Sequence, residues 1–161
     1  MIVVSDTSPI SNLLQIHRLN LLGQLYGQII IPPAVDLEIK ALKKFKIDIA
    51  EYEGSTAISV KVPFDSHAVN ELVKHIDIGE SQAIVLAKEL HADLLLIDER
   101  LGTRWAKESG LKTIGLIGTL ILAKENNMIE SVMPVIQELE DVAGFWLDDK
   151  FKSFIRSKIQ E

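Results

Sequence analysis

Residues 3–10 read VVSDTSPI. Apolar residues suited to a strand run without alternation into an aspartate, two hydroxyls and a proline. The missing period of two marks a strand covered on both faces, as in a parallel sheet. A carboxylate at the end of such a strand has two readings. Asp6 can cap the helix that follows, because its side-chain oxygen accepts an orphan backbone N–H. Alternatively it is a chemical group placed at the rim of a sheet. The rest of the chain has to choose.

The same pattern recurs twice. QIIIP (28–32) is a second buried strand, ended by Pro32 and Pro33, and Pro33 suits the first turn of a helix over 34–45. ADLLLID (92–98) is a third, and it too ends in a carboxylate, Asp98. Helical spacing fills the gaps. Leu13, Leu14, Leu21, Leu22 and Leu25 predict two short helices within 9–26, and a helix is expected over 66–75. A stronger one starts near Gly79, with Ala83, Ile84, Ala87 and Leu90 on one face. Residues 51–62 read as a loop leading to a strand around 57–60, and LKTIG (111–115) as a further strand. Between 99 and 110 a short helix is expected, with Gly110 at its C-terminal stop. Three helical stretches follow, 118–127, 131–142 and 149–160, with Pro134 near the start of the second. Strands separated by helices predict a three-layer α/β/α fold with a central parallel sheet of four to five strands and right-handed crossovers. One domain over 1–161 is expected, helical from about residue 126.

At 161 residues the chain can bury one core between two helical layers. It has no cysteine, which excludes a disulfide scaffold and cysteine-based zinc or redox chemistry. No apolar run reaches the roughly 18 residues of a membrane span, and the N-terminus lacks the pattern of a secretory signal. A cytoplasmic protein with no membrane partner is therefore expected. The net charge of −6 is opposite to that of a protein that coats nucleic acid. It remains compatible with action on nucleic acid if the acids gather at metal ions and cations cluster elsewhere.

In an open parallel sheet, ligands bind outside the carboxyl ends of the strands. Asp6 and Asp98 both end strands and so share one rim. Glu38 lies one to two turns into its helix, within reach of that rim. Asp36, two residues away, does not share its face and is the fallback. Glu80 opens its helix, where a negative charge gains about 0.3–1 kcal/mol from the dipole. Four carboxylates in one cleft repel one another and do not all stay ionised without a cation. Oxygen ligands without His or Cys suit Mg²⁺ or Mn²⁺, as one or two ions, and the matching chemistry is phosphodiester hydrolysis.

Other residues divide between solvated faces and contacts to a substrate. Glu99 is expected to cap its helix, with contact to the metal through water as the alternative. Arg100 and Arg104 share a helix face beside the rim and suit phosphate contact, although Arg104 can also pair with Glu108. Lys43 and Lys44, in KALKKFK (40–46), are candidates to guide a phosphate backbone. Lys150, Lys152, Arg156 and Lys158 make the last helix basic. Trp105 and Trp146 are expected as packing anchors. The four histidines show no metal-ligand spacing, and GLIG (115–118) is too weak a pattern for a phosphate loop.

Taken together, VVSDTSP, IPPAVDLEI, GESQAIVLA and LLLIDERLGTRWAKESGL resemble the PIN-domain superfamily. The closer resemblance is to its prokaryotic branch with a DTSP start and an LLIDER strand end, related to VapC-type toxins. It spans the chain to about residue 125. The resemblance implies that Asp6, Glu38, Glu80 and Asp98 are the four acidic positions of a PIN active site, and that Thr7 and Ser8 help fix its geometry. It implies a metal-dependent ribonuclease, often a homodimer and often paired with a small antitoxin. Glu80 stands where many VapC-type enzymes carry Asp, a feature of this branch. The alternative from another class is a catalytically silent PIN-like module that binds RNA or protein. A receiver-like domain is excluded because Thr7 replaces the second acid of its pair, and a haloacid-dehalogenase-like phosphatase because Ser8 replaces its second aspartate.

Overall fold

Neighbouring residues of the first strand face opposite cores. The computed structural model describes residues Met1–Glu161. In β1 (Val3–Ser5), Val3 packs with Leu96 in the larger core, and Val4 packs with Leu95 and Ile97 in the smaller. Both valines are fully buried. This is why the opening run shows no alternation: neither face of the strand meets water.

Helices α1 (Thr7–Gln15) and α2 (Asn20–Tyr26) lead to β2 (Ile29–Ile31), and α3 (Pro33–Ala41) follows with Pro33 in its first turn. A 3-10 turn over Leu42–Phe45 and a short α4 (Ala50–Glu53) precede β3 (Ile58–Val60). Next come α5 (Ser66–Val73), α6 (Ile78–Glu89), β4 (Leu94–Leu96), α7 (Arg100–Glu108) and β5 (Thr113–Ile114). The chain closes with α8 (Leu116–Glu125), α9 (Met133–Ala143) and α10 (Asp149–Ile159). The five strands form one parallel sheet in the order β3-β2-β1-β4-β5. Side chains of α1, α2, α3, α8 and α9 fill the larger core, and those of α6 and α7 the smaller. The expected three-layer α/β/α architecture is the one observed.

Differences are local. The helix expected over 34–45 stops being α-helical at Ala41, and its last turn tightens before Lys46 turns left-handed (φ 61°). Within the expected loop, Asp48 accepts the Ala50 N–H at 2.9 Å and Tyr52 is buried, which starts the single turn of α4. The helix after residue 76 begins at Ile78, capped by Asp77, whose side chain takes the Glu80 N–H at 2.8 Å. The basic last helix is partly spent on structure. Lys152 pairs with Glu140 at 2.7 Å, Glu161 accepts the Val132 N–H at 2.9 Å, and Ile155 enters the larger core. Trp146 is not a packing anchor, because it stands 75% exposed after Gly144 ends α9 in the left-handed region. Trp105 does pack: it lies against the smaller core and stacks on His75, ring centres 4.7 Å apart. No helix is long and apolar enough to cross a membrane.

Candidate active site

The strand order places β2 on one side of β1 and β4 on the other. The chain thus reverses its direction of winding between β1 and β4, and a crevice opens at their carboxyl ends. Ser5 lies in register with Leu96, and the Asp6 N–H donates to the Leu96 carbonyl at 2.9 Å. Asp6 therefore leaves the sheet directly beside β4, and Asp98 follows Leu96 by two residues.

Asp6 occupies the N-cap position of α1 with extended backbone, yet its side chain makes no capping bond. The capping reading fails. Its carboxylate lines a cleft with Thr7, Ser8, Asp77, Glu80, Asp98 and Glu99. Asp6 is 5% exposed and Glu80 4%. Glu38 approaches from α3, where the Thr7 hydroxyl donates to its Oε2. Asp98 is held by the Leu116 N–H, which donates to Oδ1 at 2.8 Å, while its buried Oδ2 has no partner.

Three of the carboxylates rest against glycines on other elements. A Cβ on Gly79 would lie 2.8 Å from Glu38 Oε1, one on Gly102 3.0 Å from Glu80 Cδ, and one on Gly115 2.5 Å from Asp98 Oδ1. The lack of a side chain at each is what lets the acid lie where it does. These contacts escape sequence reasoning, because each joins elements distant along the chain; the fifth acid, Asp77, is missed although its cap of α6 is a local feature. The weak GLIG pattern turns out to matter through Gly115 and the Leu116 N–H.

Burial raises the proton affinity of all four acids. Asp6 is pushed up to about 7, first by burial and then by the charges of Glu80, Asp77 and Glu38. Glu80 also reaches about 7, through burial and the charges of Asp77, Glu99 and Glu38. Burial raises Glu38, with Asp77 adding to it and the Thr7 hydroxyl opposing; burial raises Asp98 against the bond from Leu116. The acids therefore feel one another across the cleft. They do not form a finished cage, since no three acidic or imidazole side chains converge closely enough to hold an ion as they stand.

The remaining candidates sort themselves by position. Asp36 is turned away, bonded by the Tyr52 hydroxyl and paired with Lys40 at 2.9 Å, so Glu38 is the acid of α3 at the site. Glu99 holds the N-cap position of α7 without capping it. Arg100 and Arg104 line a groove that starts at Asp98, and Arg104 also pairs with Glu108 at 3.1 Å. Lys43 pairs with Glu53 at 3.0 Å, and neither Lys43 nor Lys44 lines the cleft.

A family model described as a PIN domain matches residues 2–161, nearly the whole chain. The chain belongs to the PIN-domain family. Members of this family are generally nucleases. Among solved structures the PIN domain described here is similar to a PilT N-terminus domain protein from the hyperthermophilic archaeon Sulfolobus solfataricus. The two are 22% identical with a TM-score of 0.49, over 74% of this chain and 90% of the other. No curated protein matches.

Proposed function

We propose that this PIN domain is a metal-dependent endoribonuclease that hydrolyses RNA phosphodiester bonds, acting as the toxin of a toxin–antitoxin pair. The supporting observation is the cleft at the sheet's switch point, where buried Asp6 and Glu80 feel each other and Glu38, with half-buried Asp98 lining the same space. Buried carboxylates that repel one another destabilise a fold unless something neutralises them. The donors suit Mg²⁺ or Mn²⁺: all are oxygens, and Asp98 Oδ2 is buried and unpartnered. Asp6, Glu38, Glu80 and Asp98 would hold one or two such ions. When bound, the cation supplies charge neutralisation and a more acidic water next to the phosphodiester.

The chain's own groups prepare the site. Thr7 fixes Glu38, Leu116 fixes one oxygen of Asp98 and leaves the other free, and Gly102 lets α7 press on Glu80. Arg100 and Arg104 stand where phosphate oxygens would leave the cleft. A homodimer and a small antitoxin belong to the same proposal. Exposed Leu37, Ile78 and Leu101, each next in sequence to a residue at the acids, would suit an apolar partner surface. A cytoplasmic setting goes with it. The second reading, a silent module that binds RNA or protein, is favoured by one fact: no three acids converge as they stand.

Calorimetric titration with Mn²⁺ at neutral pH separates the two. Binding to the wild type, lost in the double variant Asp6→Asn, Asp98→Asn, is expected. No binding at millimolar Mn²⁺ would leave the silent module.

Gly115 gives an independent check. Its φ is −95°, so alanine causes no backbone strain, and the whole effect comes from a Cβ placed 2.5 Å from Asp98 Oδ1. Gly115→Ala is expected to weaken Mn²⁺ binding about 10–100-fold, the usual effect of disturbing a group that positions a ligand. Circular dichroism should show the fold retained.

A further inference from the structure

Asp98 lines two spaces at once. One is the acidic cleft; the other is a groove along α7 lined by Arg100, Thr103, Arg104, Lys107 and Glu108. We propose that this groove is a phosphodiester track, in which Arg100, Arg104 and Lys107 hold the backbone of a single RNA strand on one side of the bond to be cut. The inference rests on the ribonuclease reading above and adds to it the direction in which the strand leaves the site and a cation, Lys107, that the sequence did not single out.

The helix is built for this. Gly102 and Ala106 are buried and turn toward Glu80 and the smaller core. Residues 100, 103, 104 and 107 then fall on the opposite side by the spacing of the α-helix. Arg100 to Lys107 spans about 10 Å at 1.5 Å per residue, long enough to reach phosphates beyond the one at the acids. Arg100 and Lys107 take part in none of the ion pairs of the structure. Arg104 pairs with Glu108, but both are more than half exposed, and such a pair holds by well under 1 kcal/mol. Arg104 is thus free to exchange its partner for a phosphate. No hydrophobic side chain lines the groove, which fits a charged backbone better than an apolar protein segment.

The chain carries a net charge of −6, and Asp6, Asp77, Glu80, Asp98 and Glu99 line the cleft. RNA would be repelled there unless cations held it from the side. The α7 groove supplies them next to the acids, whereas Lys43 and Lys44 do not line either space.

The test is binding of a fluorescein-labelled, mixed-sequence single-stranded RNA in EDTA, measured against KCl concentration, together with Mn²⁺-dependent cleavage. Arg100→Gln with Lys107→Gln is compared with Lys43→Gln with Lys44→Gln, which removes the same charge elsewhere. The first variant is expected to bind about 10-fold more weakly and to lose about 0.7 from the salt slope for each cation removed. The loss in cleavage should fall on KM, with kcat kept at saturating RNA. Arg100→Lys with Lys107→Arg should restore most of the binding, which a merely structural role would not require. Unchanged RNA affinity and slope in the groove variant overturn the track. So does an unchanged RNA affinity accompanied by lost binding of poly-glutamate, which would assign the groove to an acidic protein. If the wild type binds RNA through the groove but cuts none with Mn²⁺, the track stands and the ribonuclease proposal fails. If cleavage persists while the groove variant binds as wild type, only the track fails.

Discussion

Asp98→Asn and Asp6→Asn each lower Mn²⁺-dependent RNA cleavage by at least about 100-fold, while the metal-free variants melt at or above the wild-type temperature. The two effects have opposite signs for one physical reason. Asp6 is buried among other acids and half-buried Asp98 is shielded from water, so the charge of each costs free energy in the empty fold. Asn keeps the shape and a carbonyl oxygen but removes the charge. For Asp6, nearly buried and pushed from 3.8 up to about 7, relief on the order of 4 kcal/mol is expected at pH 8. In a chain of this length that corresponds to a rise of about 8–16 °C. The loss of activity follows because oxygen donors for Mg²⁺ or Mn²⁺ work through their charge, and losing one transition-state-stabilising group commonly costs 10²–10³-fold. Ordinary structural carboxylates would behave otherwise, destabilising on substitution and leaving cleavage intact. A gel-based cleavage assay with a thermal melt of the same samples decides it, and a variant that melts lower but cuts normally would remove these acids from the site.

How far the sequence carries toward this site depends on the range of the contact. The layering was legible, because VVS and LLLI show no alternation and a strand buried on both faces has no reason to alternate. Asp6 and Asp98 were legible as rim residues, because a strand's carboxyl end is a local feature. Glu38 over Asp36 followed from helix geometry alone, and the structure gives Asp36 to Tyr52 and Lys40. What could not be read depends on which strands lie side by side. The order β3-β2-β1-β4-β5 brings the β5–α8 turn next to Asp98, and only then does Gly115 touch Oδ1. Gly102 against Glu80 and Gly79 against Glu38 are contacts of the same kind. Caps misled where the position is right and the bond is absent: Asp6 and Glu99 both stand at N-caps and neither side chain caps. Trp146 misled because aromatic residues are usually buried, and nothing local marks a tryptophan that follows a left-handed glycine as exposed.

The pH dependence of stability offers the sharpest separation of a metal site from a structural cluster. In the folded chain Asp6 and Glu80 keep their protons up to about 7, whereas unfolded they release them near 3.8 and 4.5. Between these limits the folded state binds more protons than the unfolded one, so stability must fall as pH rises. Metal-free protein is therefore expected to melt higher at pH 5.5 than at pH 8, against the trend of an ordinary paired carboxylate. Asp36, Glu138 and Glu161 are shifted downward, so their contributions are complete across this window and are lost only in more acidic solution. A divalent cation competes with the same protons. Saturating Mn²⁺ should then stabilise the fold most at pH 8, by the roughly 3–4 kcal/mol that a ligand at hundreds of times its Kd contributes, and hardly at all at pH 5.5. The two curves, with and without Mn²⁺, should converge in acid and diverge above pH 7. In Asp6→Asn with Asp98→Asn both the acid gain and the Mn²⁺ gain should shrink together, because they arise from the same buried charge. A Mn²⁺ effect that survived this substitution would place the ion elsewhere, and a flat metal-free curve would mean that the acids are already neutralised within the fold.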